Sequence, residues 1–176
     1  GDFEAIRAVS RAVKNARVCS LARCVERDVR AAADSLKDAA RSRIHVFIST
    51  SPVHRENKLR MTRQQVLEAA VGSVRLAREL CEDVEFSCED ATRTEPDFLR
   101  EIYAAVLAAG ATTLNIPDTV GYATVAEYGA LIKDIAQSVT RGTNAILSVH
   151  THNDLGLATA TTLEGVLAGA RQVECT

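Results

Sequence analysis

A regular alternation of short apolar strands and amphipathic helices is the feature that most constrains how this chain can fold. Runs rich in β-branched and apolar residues predict strands at 18–21, 43–49, 84–87, 112–116, 145–150 and 172–175. Apolar residues at helical spacing predict helices at 2–15, 25–40, 94–109, 124–139 and 155–168, with another that begins at residue 62. Helices placed between consecutive short strands indicate parallel βαβ units.

Parallel βαβ units build either an open doubly wound sheet or a (β/α)₈ barrel. No glycine-rich dinucleotide-binding turn follows any of the strands, which weighs against the doubly wound sheet. Polar residues stand at the carboxyl end of nearly every strand, where a barrel places its active site. We therefore predict an α/β fold of the TIM (β/α)₈-barrel type. Because six strands are visible and eight are needed, we expect residues 1–176 to be a partial barrel domain that lacks its first strands and the end of its last strand.

Local signals refine the element boundaries. Capping-box spacing predicts two helix starts, at Thr62 with Gln65 and at Thr124 with Glu127. Thr94 with Asp97 predicts a cap for the helix after the third strand, and Pro117 is predicted to end the fourth strand. The polar stretch from 50 to 60 is predicted to be a loop.

Composition limits the classes of function. The chain has 176 residues, 47% of them hydrophobic, which is enough for one buried core. Its 21 basic and 23 acidic residues give a net charge of −2, which argues against a nucleic-acid or anionic-membrane surface. We see no membrane span and no signal peptide, and therefore expect a protein that is not secreted. The five cysteines are scattered without a CxxC pair, which argues against a cysteine-based zinc site.

The sharpest candidate site is the pair His150 and His152 at the end of the fifth strand. Residues two apart on a strand point to the same face, so both imidazoles would project into the barrel mouth. Two unrelated histidines are the commoner explanation of such a pair alone, but its place at a strand end favours metal binding. With a carboxylate and an amide added, the site could hold Mg²⁺, Mn²⁺ or Zn²⁺ and polarise an α-keto acid.

Two further groups of polar residues follow neighbouring strands. Ser87 and Glu89 share one face of the third strand, and a functional role is favoured for Glu89. For Asp90, capping of the next helix is the better interpretation. After the fourth strand, the hydroxyl of Thr119 could hold a substrate carboxylate or could simply belong to a turn. His45 lies between apolar neighbours, and such a histidine is more often a core residue than a catalyst.

Six runs of this sequence resemble the 2-isopropylmalate synthase family, in the same order along essentially the whole chain. They are residues 47–52, 57–62, 84–90, 112–122, 150–157 and 168–174. The resemblance implies a Claisen-type condensation of acetyl-CoA with 2-oxoisovalerate, dependent on a divalent metal, in leucine biosynthesis. Alternatives are a related synthase acting on another 2-oxo acid, a lyase of the same superfamily such as HMG-CoA lyase, or a metal-binding fragment without catalytic activity.

The resemblance also implies a role for each candidate residue. His150 and His152 would bind the metal, and Thr119 would bind the substrate carboxylate. Glu89 would lie beside the acetyl group or the developing alcohol, and His45 would join it as the second catalytic candidate. Ser87 would help to shape the pocket, and Leu21 would touch the side chain of the 2-oxo acid.

Two expected parts of the family pattern are missing from this sequence. The Arg-Asp motif that supplies a metal-binding Asp would precede the first visible strand, and an Asn ligand would follow Thr176. The leucine-sensing regulatory domain is also absent. We therefore expect the parent protein to be the enzyme, acting as a homodimer in the bacterial cytoplasm or the plastid stroma. The isolated 176-residue chain is expected to be inactive.

Overall fold

One six-stranded sheet with helices packed against it makes up this protein, described by the computed structural model for residues 2–175. The strands are β1 (Val18–Arg23), β2 (Ser42–Ser49), β3 (Val84–Glu89), β4 (Thr113–Asp118), β5 (Ile146–Thr151) and β6 (Gln172–Glu174). The helices are α1 (Asp2–Ala12), α2 (Glu26–Ser35), α3 (Pro52–His54), α4 (Arg63–Leu80), α5 (Pro96–Ala108), α6 (Val125–Ile135) and α7 (Ala158–Ala168). Two five-residue π-helical turns, Arg55–Leu59 and Ala136–Thr140, and a 3₁₀ turn at Ala91–Arg93 complete the order.

The six strands are all parallel and lie side by side in chain order, from β1 to β6. A doubly wound sheet would reverse its order at a switch point, and this sheet does not. The sheet is also strongly curled. This is seen from the 2.6 Å hydrogen bond that Arg43 on β2 donates to Gln172 on β6. Four strand spacings in a flat sheet would separate those strands by about 19 Å. The prediction of a barrel-type α/β fold, open and with six strands, is confirmed.

The two faces of the sheet differ in chemistry. The outward side chains are apolar and fully buried beneath the helices, and include Val46, Phe86, Leu114 and Val149. The inward side chains of β2 to β6 are mostly polar: Arg43, His45, Glu85, Ser87, Asn115, Ser148 and Glu174. The hydrophobic core therefore lies between sheet and helices, and the interior of the curled sheet is a polar chamber.

A network of charged side chains crosses the chamber near the amino-terminal ends of the strands. Arg43 donates to Asp83 at 2.9 Å and to Glu85 at 2.8 Å, and Gln172 donates to the second oxygen of Glu85 at 2.8 Å. We call these four residues the floor of the chamber. Because Arg43 and Glu85 are both buried, the floor ties β2, β3 and β6 together inside the molecule.

Both predicted capping boxes are present, at Thr62 with Gln65 and at Thr124 with Glu127. The predicted cap formed by Thr94 and Asp97 is wrong. Helix α5 begins at Pro96, and its N-cap residue is Glu95, which makes no side-chain cap hydrogen bond. The Thr94 hydroxyl instead hydrogen-bonds Thr50 at 2.7 Å and the Asp90 carbonyl at 2.9 Å.

Two other boundaries differ from the sequence predictions. Strand β4 runs through Pro117 to Asp118, and Pro117 lies in register with His150. Pairing of β4 with β3 stops at Asn115, so the missing amide of Pro117 costs no ladder bond on that side. The stretch from 50 to 60 is not a plain loop, since it contains α3 and a π-helical turn. Among residues 2–175, no helix is both long enough and apolar enough to cross a bilayer.

Candidate metal and substrate site

The imidazoles of His150 and His152 meet at the carboxyl end of β5. Their Nε2 atoms are 2.9 Å apart, and we call these two residues the histidine pair. Two nitrogen ligands at about 2.1 Å from an ion and 90° apart would be separated by about 3.0 Å. The spacing of the histidine pair therefore fits two adjacent ligands of one metal ion.

Glu174 on β6 orients the first of these histidines. Its carboxylate accepts a 2.7 Å hydrogen bond from Nδ1 of His150. Burial alone would raise the pKa of Glu174, but its contacts with His150, His45 and Asn115 outweigh burial and hold the pKa below its ordinary value. An ionised carboxylate can only accept hydrogen bonds, so the ring proton of His150 sits on Nδ1 and leaves Nε2 to face His152. Metal-binding histidines are commonly held by a carboxylate in this way.

His45 lies deeper in the chamber, in a chain of hydrogen bonds with Ser87 and Asn115. Asn115 Nδ2 donates to the Ser87 hydroxyl at 2.9 Å, and the Ser87 hydroxyl lies 2.5 Å from His45 Nε2. Burial lowers the pKa of His45, against the opposing effect of Glu85 and Glu174. A neutral His45 therefore accepts from Ser87 through Nε2, while its Nδ1 faces Glu174 at 3.7 Å.

Glu89 lies at the rim, at the carboxyl end of β3. Lys58 Nζ lies 2.9 and 3.0 Å from its two carboxylate oxygens, and the Ser49 hydroxyl also donates to it. Burial would raise the pKa of Glu89, but the hydrogen bonds from Ser49 and Lys58 outweigh burial and lower the pKa. Glu89 is therefore an ionised carboxylate with fixed partners.

Thr119 follows β4, and its Oγ1 accepts a 2.9 Å hydrogen bond from the backbone amide of Asp90. Within residues 2–175 the Thr119 hydroxyl donates no hydrogen bond, so its proton is available to an external acceptor. Asp90 itself is fully buried and adopts a left-handed backbone conformation, with φ 68°. Its carboxylate accepts from Arg93, in the 3₁₀ turn that follows it, at 2.8 and 3.0 Å, and it makes no cap hydrogen bond with its side chain.

The turn that carries Thr119 packs directly against the histidine pair. Gly121 in this turn has φ 62°, which favours glycine. A Cβ atom at Gly121 would lie 3.0 Å from both the carbonyl carbon and the Cβ atom of His152. The close approach of the two loops therefore depends on a residue without a side chain.

Leu21 on β1 lies in register with His45, and neighbouring residues in register share a face of the sheet. Its side chain is 60% exposed on the inner face of the curled sheet. The structure thus connects His45, Ser87 and the histidine pair through Glu174, and places Thr119 in the turn beside the pair. Glu89 forms a separate group at the rim.

A second grouping of metal-binding side chains lies below the histidine pair. Ligand atoms of His45, Glu85 and Glu174 all lie within 4.8 Å of one another, close enough to hold a divalent ion. The Arg43 guanidinium already contacts Glu85 at 2.8 Å and opposes a cation there. The chamber therefore holds donors of the kind that bind a divalent metal. The donors of the histidine pair suit a cation better than the lower group, which Arg43 contacts.

Three residues of the site were not identified from the sequence as candidates. Glu174 shares a face with Gln172 by the period-two rule, so alternation in the last strand could have indicated it. Asn115 alternates with the apolar Leu114 and Ile116 in β4, so the same rule could have indicated it. Lys58 had none, because only the folded π-helical turn brings it to Glu89.

This chain is similar to curated proteins that are named 2-isopropylmalate synthase. The chain is 56% identical over 177 residues to a 2-isopropylmalate synthase of Paracidovorax citrulli, covering 100% of this chain and 35% of that protein. It is 56% identical over 176 residues to a 2-isopropylmalate synthase of Methylococcus capsulatus, covering 100% of this chain and 34% of that protein. The chain therefore spans about a third of the length of these relatives.

Solved structures share the fold at low sequence identity. The hydroxymethylglutaryl-CoA lyase of Pseudomonas aeruginosa superposes with a TM-score of 0.78 and 21% identity, over 98% of this chain and 56% of that one. A second match is an HMG-CoA lyase from Acinetobacter baumannii in complex with coenzyme A and 3-methylmalate. It gives a TM-score of 0.74 and 15% identity, over 95% of this chain and 55% of that one. The model of the HMGL-like family matches residues 1–176, and this chain belongs to that family.

Proposed function

We propose that the full-length protein containing this chain is a 2-isopropylmalate synthase that condenses acetyl-CoA with 2-oxoisovalerate. The acetyl methyl carbon loses a proton and bonds to the keto carbon, whose oxygen gains a proton. Water then cleaves the thioester and releases CoA. The observation that carries the proposal is the histidine pair, with Nε2 atoms 2.9 Å apart and one ring fixed by Glu174. The name of the relatives at 56% identity supports the choice of reaction.

A divalent ion, Mg²⁺ or Mn²⁺ in preference to Zn²⁺, is proposed to bind His150 and His152. When bound, such an ion supplies a Lewis acid for a keto oxygen. Further ligands would come from parts of the full-length protein outside this chain, in line with the family resemblance. Glu174 would keep His150 in the tautomer that can bind the metal.

The other candidate residues are proposed to handle the substrates. The free hydroxyl proton of Thr119 would donate to the carboxylate of the 2-oxo acid, beside the histidine pair. Glu89, an ionised carboxylate at the rim, would lie next to the acetyl group. The polar chain of His45 and Ser87 would form the lower wall of the pocket, and Leu21 would contact the alkyl group of the 2-oxo acid.

The test is a panel of 2-oxo acids offered to the full-length protein with acetyl-CoA and Mn²⁺, with release of free CoA thiol as the readout. We expect the highest kcat/KM with 2-oxoisovalerate. A clear preference for 2-oxoglutarate or pyruvate would replace the proposal with a homocitrate or citramalate synthase. Cleavage of HMG-CoA without any condensation would indicate a lyase, the activity named for the structural neighbours.

Metal binding can be tested on the 176-residue chain by titration calorimetry with Mn²⁺. We expect binding by the chain, and binding at least about tenfold weaker when His152 is replaced by Ala, because one of two ligands is lost. The exposed Lys133→Met variant is the control. Equal affinities of the chain and the His152→Ala variant would exclude the histidine pair as the site. The same chain should release no CoA thiol from acetyl-CoA, and measurable turnover would refute our expectation that it is inactive alone.

The full-length protein is further proposed to be a homodimer. The bacterial source of the relatives favours the cytoplasm over the plastid stroma as its compartment. Light scattering of the purified full-length protein would test the dimer, since a monomer mass would contradict it.

A further inference from the structure

The π-helical turn Arg55–Leu59 is anchored to the body of the protein through its first residue. Arg55 is buried and forms a bidentate ion pair with Glu95, at 2.8 and 2.7 Å. Its guanidinium also donates to the Thr50 carbonyl and lies 5.2 Å from the centre of the Phe98 ring. The turn is therefore held rigidly against α5 without any help from Lys58.

Lys58 lies on a turn of unusual backbone geometry. The turn closes with a hydrogen bond from the Arg60 amide to the Arg55 carbonyl, one residue wider than in an α-helix. Arg60 then takes a left-handed conformation with φ 54°, an uncommon state for a residue with a side chain. Wide turns and left-handed residues of this kind are frequent at functional sites. Lys58 lies within this turn, and its Nζ reaches Glu89 at the rim of the chamber.

Lys58 contacts the carboxylate of Glu89 from one side while Ser49 contacts it from another. The Nζ atom lies 2.9 and 3.0 Å from the two carboxylate oxygens and 3.1 Å from the Ser49 hydroxyl. Ser49 lies in register with Glu89 on the neighbouring strand. Both carboxylate oxygens are thus engaged, and the plane of the carboxylate is fixed.

We propose that Lys58 is a positioning residue that sets the orientation of the Glu89 carboxylate for the synthase reaction. This inference rests on the proposed function, because it assumes that Glu89 lies beside the acetyl group. Lys58 acts through Glu89 and need not touch either substrate. The Asn57–Thr62 segment that carries it belongs to a run shared with the synthase family for which the sequence indicated no role.

A purely structural role explains the contact less well. The Lys58 side chain is 50% exposed, and ion pairs at such positions contribute little to stability. The turn already has the Arg55–Glu95 pair, and the preceding segment has the hydrogen bond between Thr50 and Thr94. Loss of Lys58 should therefore leave the fold intact and change the behaviour of Glu89.

The experiment uses the full-length protein and four variants: Lys58→Met, Lys58→Arg, Glu89→Gln and the double variant Lys58→Met/Glu89→Gln. We expect Lys58→Met to lower kcat by about 10- to 100-fold, with KM for the 2-oxo acid changed by less than about twofold. Lys58→Arg keeps the charge and should retain most of the activity. The double variant should be no slower than Glu89→Gln, because a residue that acts only through Glu89 has no effect once that carboxylate is gone. Lys133→Met, exposed on α6, controls for the loss of one lysine.

Each outcome separates this inference from the proposed function. If the wild-type protein releases no CoA with any 2-oxo acid, the proposed function is overturned, and the positioning role with it. If the wild type is active and Lys58→Met is as fast, only the positioning role is overturned. Additive losses in the double variant would overturn it as well, since they would mean that Lys58 acts independently of Glu89.

Discussion

The floor of the chamber and its mouth, the end that carries the histidine pair, are both polar but differ in how their side chains are paired. At the floor, Arg43 contacts Asp83 and Glu85, and Gln172 donates to the other oxygen of Glu85, so each carboxylate has a partner within the protein. At the mouth, the Nε2 atoms of the histidine pair face each other at 2.9 Å. With the His150 proton on Nδ1, its Nε2 accepts this hydrogen bond from His152, and a metal ion that replaced the shared proton would receive a lone pair from each ring.

This difference shows how position along a strand separates structural from functional polar groups. Charges that pair with each other inside the protein hold strands together and have no capacity left for a ligand. Donors that converge without an opposite charge between them gain stability from a cation supplied from outside. Glu174 lies between the two regions, because it contacts both His45 and His150.

The largest effect should come from breaking the floor. Arg43→Met leaves Glu85 buried without its charged partner, and we expect the free energy of unfolding to fall by about 3–5 kcal/mol in urea denaturation. The double variant Arg43→Met/Glu85→Gln no longer carries the unpaired charge of Glu85, and it should recover part of the lost free energy of unfolding. A loss below about 1 kcal/mol for Arg43→Met would show that the floor is not a structural ion-pair network.

A smaller effect, confined to the mouth, should follow from Glu174→Gln. Removal of the carboxylate that holds His150 should weaken Mn²⁺ binding to the chain by about 10- to 100-fold, measured by calorimetry. The floor does not depend on Glu174, so the urea midpoint should change much less than for Arg43→Met. The exposed Glu79→Gln variant controls for the loss of one negative charge, and equal affinity in the two variants would contradict the assignment of Glu174.

The smallest effect should be the acid sensitivity of the floor. Burial would raise the pKa of Asp83, but hydrogen bonds from Arg43 and Thr112 outweigh burial and hold the pKa below its ordinary value of 3.8. Folding therefore gains stability from ionised Asp83 above about pH 4, and that gain is lost as pH falls through the lower folded-state pKa. The stability difference between wild type and Asp83→Asn, measured by urea titration, should be largest near neutral pH and shrink below pH 4. A difference that stays constant with pH would rule out this linkage.

The sequence predicted the outline of the fold because its signals are local. Strand β5 and helix α4 follow from the spacing of apolar residues, and the capping box at Thr62 needs only a neighbour three residues away. The shared face of His150 and His152 likewise follows from the two-residue period of a strand. Each of these predictions depends on residues a few positions apart.

The contacts that the sequence did not predict join distant positions. Arg43 and Gln172 are separated by 129 positions, and nothing in either segment indicates the other. Lys58 reaches Glu89, 31 positions away, from a π-helical turn that no local signal indicated. Thr94 was misassigned as a cap because its hydroxyl bonds Thr50 and the Asp90 carbonyl, and the helix begins one residue later than the spacing indicated.

The strict chain order of the strands has a consequence for how the molecule assembles. Each strand pairs only with the strands before and after it in the chain. The segment between two paired strands is therefore a single helical connection with its loops, and the entropy lost when two strands pair is modest. Assembly can therefore proceed by adding one unit to the next, with rates typical of proteins of intermediate contact order. Native-state hydrogen exchange should be slowest in β3 and β4, which lie farthest from the edges of the sheet, and fastest in the three-residue edge strand β6. Glu174 lies on that last strand, so local opening of β6 would release the ring of His150 before the rest of the sheet unfolds.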